Sequence, residues 1–198
     1  VTKLVTSCYY LTLHLLSSDF ASSFERNQRW TIRQFFNIKM KMKKKINCFI
    51  PFGTPEDTMQ TVKELQVSEL VNKIYLLGSE PGKKALPGCE YLSVKGFYST
   101  DTMKTIAANA NTEYTLFYLK QTPLKLGLYA LERMVQIMEN DKKNGIVYAD
   151  HYQLINGELK QAPVIDYQLG SVRDDFDFGS MLLFSSSAFT KIADALRE

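Results

Sequence analysis

From Ile46 onward, short apolar runs alternate with amphipathic stretches, and the alternation predicts strands and helices taking turns. Ile46-Asn47-Cys48-Phe49-Ile50 is an apolar run closed by Pro51 and Gly53, the pattern of a buried strand. Thr54-Pro55-Glu56-Asp57 then starts a helix, with Thr54 as cap, Pro55 at the first helical position and acids in the first turn. Met59, Val62 and Leu65 continue it at helical spacing. Val71 to Leu77 reads as a second strand stopped at Gly78-Ser79, and Tyr91 to Val94 as a third. Ser99 and Asp101 cap a helix carrying Met103, Ile106 and Ala110. Tyr114 to Leu119 is a fourth strand, Leu126 to Met138 a long helix, and Ile146 to Ala149 a fifth strand. Leu154-Ile155-Asn156-Gly157-Glu158-Leu159 carries the Asn-Gly signal of a hairpin. Ser180 to Phe184 is one more strand before a helix from Ser187. Strands alternating with helices through short turns predict an α/β fold with a mostly parallel sheet, to which the hairpin and the last strand add antiparallel or mixed elements.

Residues 1–45 do not share this pattern and are expected to be an N-terminal extension outside the domain, which occupies 46–198. Leu4 to Leu16 is apolar but shorter than the ~20 residues that span a bilayer. Arg26, Arg29, Trp30, Arg33, Phe35 and Phe36 also fit a basic amphipathic helix, so a peripheral membrane contact is a second expectation. The chain stops inside the helix begun at Ser187, the expectation for a domain truncated at its C-terminus.

Composition narrows the function classes. The 24 basic and 21 acidic residues leave a formal charge of +3, and Lys39 to Lys45 supply more than that excess. No concentrated basic stripe lies within the domain, which argues against nucleic acid as partner. The three cysteines, Cys8, Cys48 and Cys89, match neither a zinc site nor a disulfide framework. They point to a reducing compartment, hence the cytoplasm or the inner face of its membrane.

The charged residues that draw attention lie between Gly145 and Phe184. Asp150 and His151 end a buried strand, and an open α/β sheet binds ligands outside the carboxyl ends of its strands. Asp150 also fits a turn cap. His151 has no second histidine nearby to share a metal and reads as a side chain flanking the hairpin. Arg173, Asp174, Asp175 and Asp177 crowd together just before the last strand. Phe176 and Phe178 alternate with these acids, which anchors one face in apolar surroundings. A carboxylate so anchored suits a general base, with Asp175 ahead of Asp174 because it adjoins Phe176. The bland alternative is a surface ion pair with Arg173.

These elements and their endings resemble the nucleotide-sugar half of a family-two glycosyltransferase with the GT-A fold, over roughly Ile46 to Leu196. The resemblance rests on the Pro51-Phe52-Gly53 turn, on Gly78-Ser79 after the second strand, and on Ser99-Thr100-Asp101 through Asn111-Thr112-Glu113-Tyr114. It extends to Tyr148-Ala149-Asp150-His151 and Arg173-Asp174-Asp175-Phe176-Asp177-Phe178-Gly179. It implies a GT-A-like, Rossmann-type three-layer sandwich and an inverting, hexosyltransferase-type enzyme of polysaccharide biosynthesis. A sugar would pass from a nucleotide-diphosphate donor to a glycan or lipid-linked acceptor. The donor would lie on Pro51, Phe52, Gly53, Gly78, Ser79, Asp101, Lys120 and Asp150. His151, Arg173 and Asp177 would face the acceptor, with Asp175 or Asp174 as base.

One departure from the family stands out. Its Asp-x-Asp signature, which holds a divalent cation on the diphosphate, is replaced by Tyr118-Leu119-Lys120-Gln121-Thr122-Pro123. Mg²⁺ or Mn²⁺ remains the expected cofactor, with Asp150 as ligand, and Lys120 is the alternative source of positive charge on the phosphates. The same departure supports a second reading, a degenerate GT-A domain that binds nucleotide or glycan without turnover.

Overall fold

The computed structural model describes residues 2–4, 44–80, 86–164 and 176–196. In chain order these form β1 (Thr2–Leu4), β2 (Ile46–Pro51), α1 (Pro55–Gln66), β3 (Val71–Gly78), β4 (Glu90–Ser93) and α2 (Thr100–Asn109). There follow β5 (Tyr114–Tyr118), α3 (Ala130–Asn140), β6 (Ile146–Ala149), β7 (His151–Ile155), β8 (Glu158–Ala162), β9 (Met181–Ser185) and α4 (Ser186–Ala195). The fold is α/β, with a mostly parallel mixed sheet flanked by helices, as the apolar pattern predicts.

The main sheet runs β1-β6-β9-β5-β2-β3-β4. Six of its strands come from the region beyond Lys45, and Thr2–Leu4 lies parallel to β6 at one edge. Every pairing is parallel except those of β9, which runs antiparallel to both β5 and β6. The hairpin β7–β8 forms a separate two-stranded sheet. Apart from residues 2–4 and 44–45, the expected N-terminal extension lies outside the described residues.

Strand residues divide by parity between two clusters. Ile46, Cys48, Ile50, Leu116, Val147 and Leu183 pack with Val62 and Leu65 of α1 and with Leu131, Met134, Val135 and Met138 of α3. Phe49, Tyr75, Leu77 and Phe117 pack instead with Ile106 of α2 and Phe189 of α4. In this second cluster Phe49 stacks on Tyr75 with centroids 4.8 Å apart, and Phe117 meets Phe184 edge-on at 5.5 Å. Successive strand residues point to opposite faces, so runs buried on both sides read as continuously apolar.

The helix starts follow the expected chemistry. Thr54 Oγ1 accepts from the Asp57 N–H at 3.2 Å, and Ser99 Oγ accepts from the Thr102 N–H at the same distance. The third helix differs, since it begins at Ala130 rather than near Leu126. The backbone N–H groups of Leu124 and Leu126 donate to Thr61 Oγ1 (3.0 Å) and Glu64 Oε1 (2.9 Å) of α1. These bonds hold the segment against α1. Tyr129 then turns the chain at φ 57°, and Leu128 is 83% exposed.

Candidate functional site at the carboxyl edge of the sheet

Parallel strands end on the same side of a sheet, and helices that follow them begin there. The edge that results here carries the ends of β2, β3, β5 and β6 together with the N-termini of α1 and α2. Pro51, Phe52, Gly53, Gly78, Ser79, Asp101, Lys120 and Asp150 all lie along it by their positions in these elements. Helix N-termini add unsatisfied N–H groups and a positive dipole end to such an edge.

Two glycines make the close approaches that shape its middle. A Cβ on Gly53 would lie 3.0 Å from the Gln121 carbonyl oxygen and 3.1 Å from the Gln121 Cβ. The turn after β2 therefore rests on the loop leaving β5, and the Gln121 side-chain amide donates to the Phe52 carbonyl at 3.2 Å. The Gly53 N–H donates to Thr58 Oγ1 of α1 at 3.1 Å. A Cβ on Gly78 would collide with the Tyr91 hydroxyl oxygen. That hydroxyl accepts from the Glu80 N–H at 3.3 Å, while the Tyr91 ring meets Phe52 edge-on at 6.1 Å. Tyr91 thus joins the ends of β2 and β3. Sequence reasoning placed it only as a strand residue, and no local pattern marks its hydroxyl.

Lys120 is exposed just past β5, next to Gln121. Asp101 lies in the first turn of α2 with one carboxylate oxygen 3.5 Å from Lys95 Nζ, both side chains exposed. Tyr118, at the end of β5, donates its hydroxyl to the Thr122 carbonyl at 2.9 Å. Burial pushes the pKa of that phenol up, with the Thr122 contact acting against it.

The far end of the edge is a packed corner. Asp150 Oδ1 accepts from the Val164 N–H at 2.7 Å, tying the start of the hairpin to its exit. Gly179, at φ +83°, closes the corner: a Cβ there would lie 3.2 Å from the Ala149 carbonyl oxygen and 3.3 Å from Val164 Cγ2. Asp177 Oδ1 accepts from the Gly179 N–H at 2.7 Å and shapes this turn, and the Asp177 side chain is exposed. Phe178 packs edge-on against the fully buried Tyr148 at 5.3 Å, and Phe176 lies 4.5 Å from Phe178. His151 Nδ1 is buried without a hydrogen-bond partner among the described residues, while its Nε2 is 3.1 Å from the Gln153 amide nitrogen. Asp174, Asp175 and Arg173 lie outside the described residues.

Among the described residues no three His, Cys, Asp or Glu side chains come together. Taken alone, the described residues around Asp150 form no donor set for a divalent cation. A depression of about 300 Å³ lies elsewhere, at the amino end of β3, lined in part by Lys44, Gln66, Ser68, Glu69, Asn72 and Gly88. None of the expected site residues that the structure describes lines it. No helix among the described residues is long and apolar enough to cross a membrane. Comparison of the chain with models of known protein families and with curated proteins found no match.

Proposed function

We propose that the chain is a GT-A-like glycosyltransferase domain, a Rossmann-type three-layer sandwich that binds a nucleotide-diphosphate sugar across the carboxyl edge of its sheet. The observation that carries the reading is the gathering of the Phe52-Gly53 turn, Gly78, the start of α2, Lys120 and Asp150 on that one edge. The close approaches of Gly53 to Gln121 and of Gly78 to Tyr91 draw the ends of β2, β3 and β5 together along this edge. Lys120 and the helix N-termini supply positive potential for the diphosphate. In the inverting reaction, Asp175 or Asp174 takes the proton of the acceptor hydroxyl. The acceptor oxygen bonds to the anomeric carbon, and the nucleoside diphosphate leaves with the electron pair of the bond that breaks. A cytoplasmic setting suits the free thiols of Cys48 and Cys89.

Incubation with a panel of nucleotide sugars and a glycan or lipid-linked acceptor tests the reading through released nucleoside diphosphate. Asp175→Asn should lower transfer by ~10²–10⁴ while donor affinity stays near normal. Lys120→Met should weaken nucleoside-diphosphate binding roughly tenfold, the scale of one charge-assisted contact, with no change in stability. Absence of turnover with every donor, in a folded protein, would defeat the transferase reading. The second reading, binding without turnover, draws on Lys120 standing where the family carries a carboxylate. It expects nucleotide affinity that is indifferent to Mn²⁺ and Mg²⁺.

A further inference from the structure

The hairpin β7–β8 leaves the main sheet at Asp150 and carries exposed apolar side chains on one face. Tyr152 and Leu154 of β7 share that face with Leu159 of β8, and they are 60%, 71% and 73% exposed. Leu154 and Leu159 stand directly opposite each other, as do Ile155 and Glu158 beside the turn. Asn156 and Gly157 both have positive φ, 53° and 83°, the two-residue turn that matches strand twist. In such a hairpin the pair beside the turn exchanges both hydrogen bonds, and the bonding alternates along the ladder. Glu158 and Lys160 therefore direct their backbone groups toward β7, while Leu159 and Gln161 direct theirs outward. No strand pairs with that outer edge among the described residues.

An open edge is a template for another strand, and lysine on it ordinarily discourages pairing. Here the lysine is matched within the same strand. Two copies of β8 can pair antiparallel about a two-fold axis in only a few registers. An axis at Lys160 places two lysines face to face, and an axis at Glu158 places two glutamates so. An axis at Gln161 sets Leu159 against Pro163, which has no N–H to give. An axis at Leu159 sets Glu158 of each copy against Lys160 of the other, twice. It also lets the outward N–H of Leu159 in each copy donate to the Leu159 C=O of the other.

We propose that the outer edge of β8 is a self-association surface, joining two copies of this chain into a four-stranded antiparallel sheet centred on Leu159. The contact is isologous, as closed two-fold assemblies require. Leu154 and Leu159 of both copies line up as a ladder across the four strands, so part of the exposed apolar face gains neighbours. Pro163 ends the edge and limits its length. Such a contact buries much less than the ~1,200 Å² of a standard interface, so the dimer is weak and depends on concentration.

Sedimentation equilibrium of the full chain over a concentration series up to high micromolar tests the proposal. The wild-type chain should show a monomer–dimer equilibrium. Lys160→Glu and Glu158→Lys each turn two attractive cross-strand pairs into repulsive ones and should weaken it roughly tenfold. The double variant E158K/K160E exchanges the charges and should restore wild-type association, which a merely structural effect of either change would not do. Circular dichroism checks that each variant keeps its fold, and these exposed positions are far from the core. A wild-type chain monomeric throughout would overturn the proposal and leave the edge to a different partner. A dimer indifferent to both single reversals would overturn it as well.

Discussion

Asp150 holds Val164 by a single hydrogen bond, carboxylate oxygen to backbone N–H, across the base of the hairpin at 2.7 Å. Val164 is 4% exposed, so its N–H has little access to water as a substitute partner. Asp150 also directly follows β6, at the edge proposed to bind the donor. The structural role and the proposed functional one therefore fall on one side chain, and they can be separated. Asp150→Ala strands the Val164 N–H and should cost about 1–3 kcal/mol in urea denaturation. Asp150→Asn keeps an acceptor oxygen and should retain most of that stability while losing the charge. If the asparagine variant also binds nucleoside diphosphate normally, the carboxylate serves the corner alone. Unchanged stability in the alanine variant would show that the corner does not depend on this bond.

Gly78 and Tyr91 give a prediction about the middle of the edge. The clash of a Cβ at Gly78 is with a ring wedged against Phe52, and relieving it means moving that ring. Gly78→Ala should lower stability by about 1–3 kcal/mol, the range for overpacking, and weaken nucleotide binding. Tyr91→Phe removes the nearest atom, so the double variant should recover part of the loss. Non-additivity in the double-mutant cycle is the readout. Strictly additive effects would mean that the two side chains do not meet.

Much of the fold was legible because its determinants are local. Thr54 and Ser99 announce their helices by chemistry that operates within three residues, and Asn156-Gly157 announces its turn within two. The start of α3 was not legible, because the acceptors that keep Leu124 and Leu126 extended belong to Thr61 and Glu64, some sixty positions earlier. At the candidate site the strand ends were readable, since an apolar run that stops at Asp150 or Gly78 marks its own terminus. The contacts that bind those ends together were not. Tyr91 reads as an ordinary strand residue until Gly78 is brought beneath its hydroxyl.

Asn47 is the clearest case of a residue the pattern conceals. It lies inside an apolar run and is fully buried. Its amide donates to the Asn109 carbonyl at 2.9 Å and to Asn111 Oδ1 at 2.8 Å, and its oxygen accepts from Asn72 at 3.0 Å. One side chain thus connects β2, β3 and the turn into β5. Asn47→Leu should cost about 1–3 kcal/mol, because a residue of similar size leaves these three partners without their bonds. A smaller loss in thermal or urea unfolding would mean that water replaces the network, as the partly exposed Asn109 would allow.

The last prediction concerns Lys45 and alkaline pH. Its ammonium is hydrogen-bonded to Glu139 of α3 and lies 3.7 Å from Glu113, with the lysine side chain 24% exposed. The bond to Glu139 is the main reason that its pKa stands above the ordinary 10.5; burial opposes the shift, and the charges of Glu113 and Glu139 add to it. A lysine whose folded pKa is raised binds its proton more tightly in the native state. Its contribution is therefore complete below the unfolded value and is lost as pH rises through the folded one. Other groups destabilise the protein in the same range: burial raises the Cys48 thiol and the Tyr114 phenol, so the unfolded chain ionises first. The lysine must be isolated by difference. Lys45→Met keeps most of the stem packing, and its deficit against wild type should be about 0.5–1 kcal/mol near neutral pH, the scale of a solvent-accessible ion pair. That deficit should hold steady to about pH 9 and shrink toward zero above the folded pKa. A deficit that persists unchanged into strong alkali would mean that the methylenes of Lys45, rather than its charge, connect the start of β2 to α3.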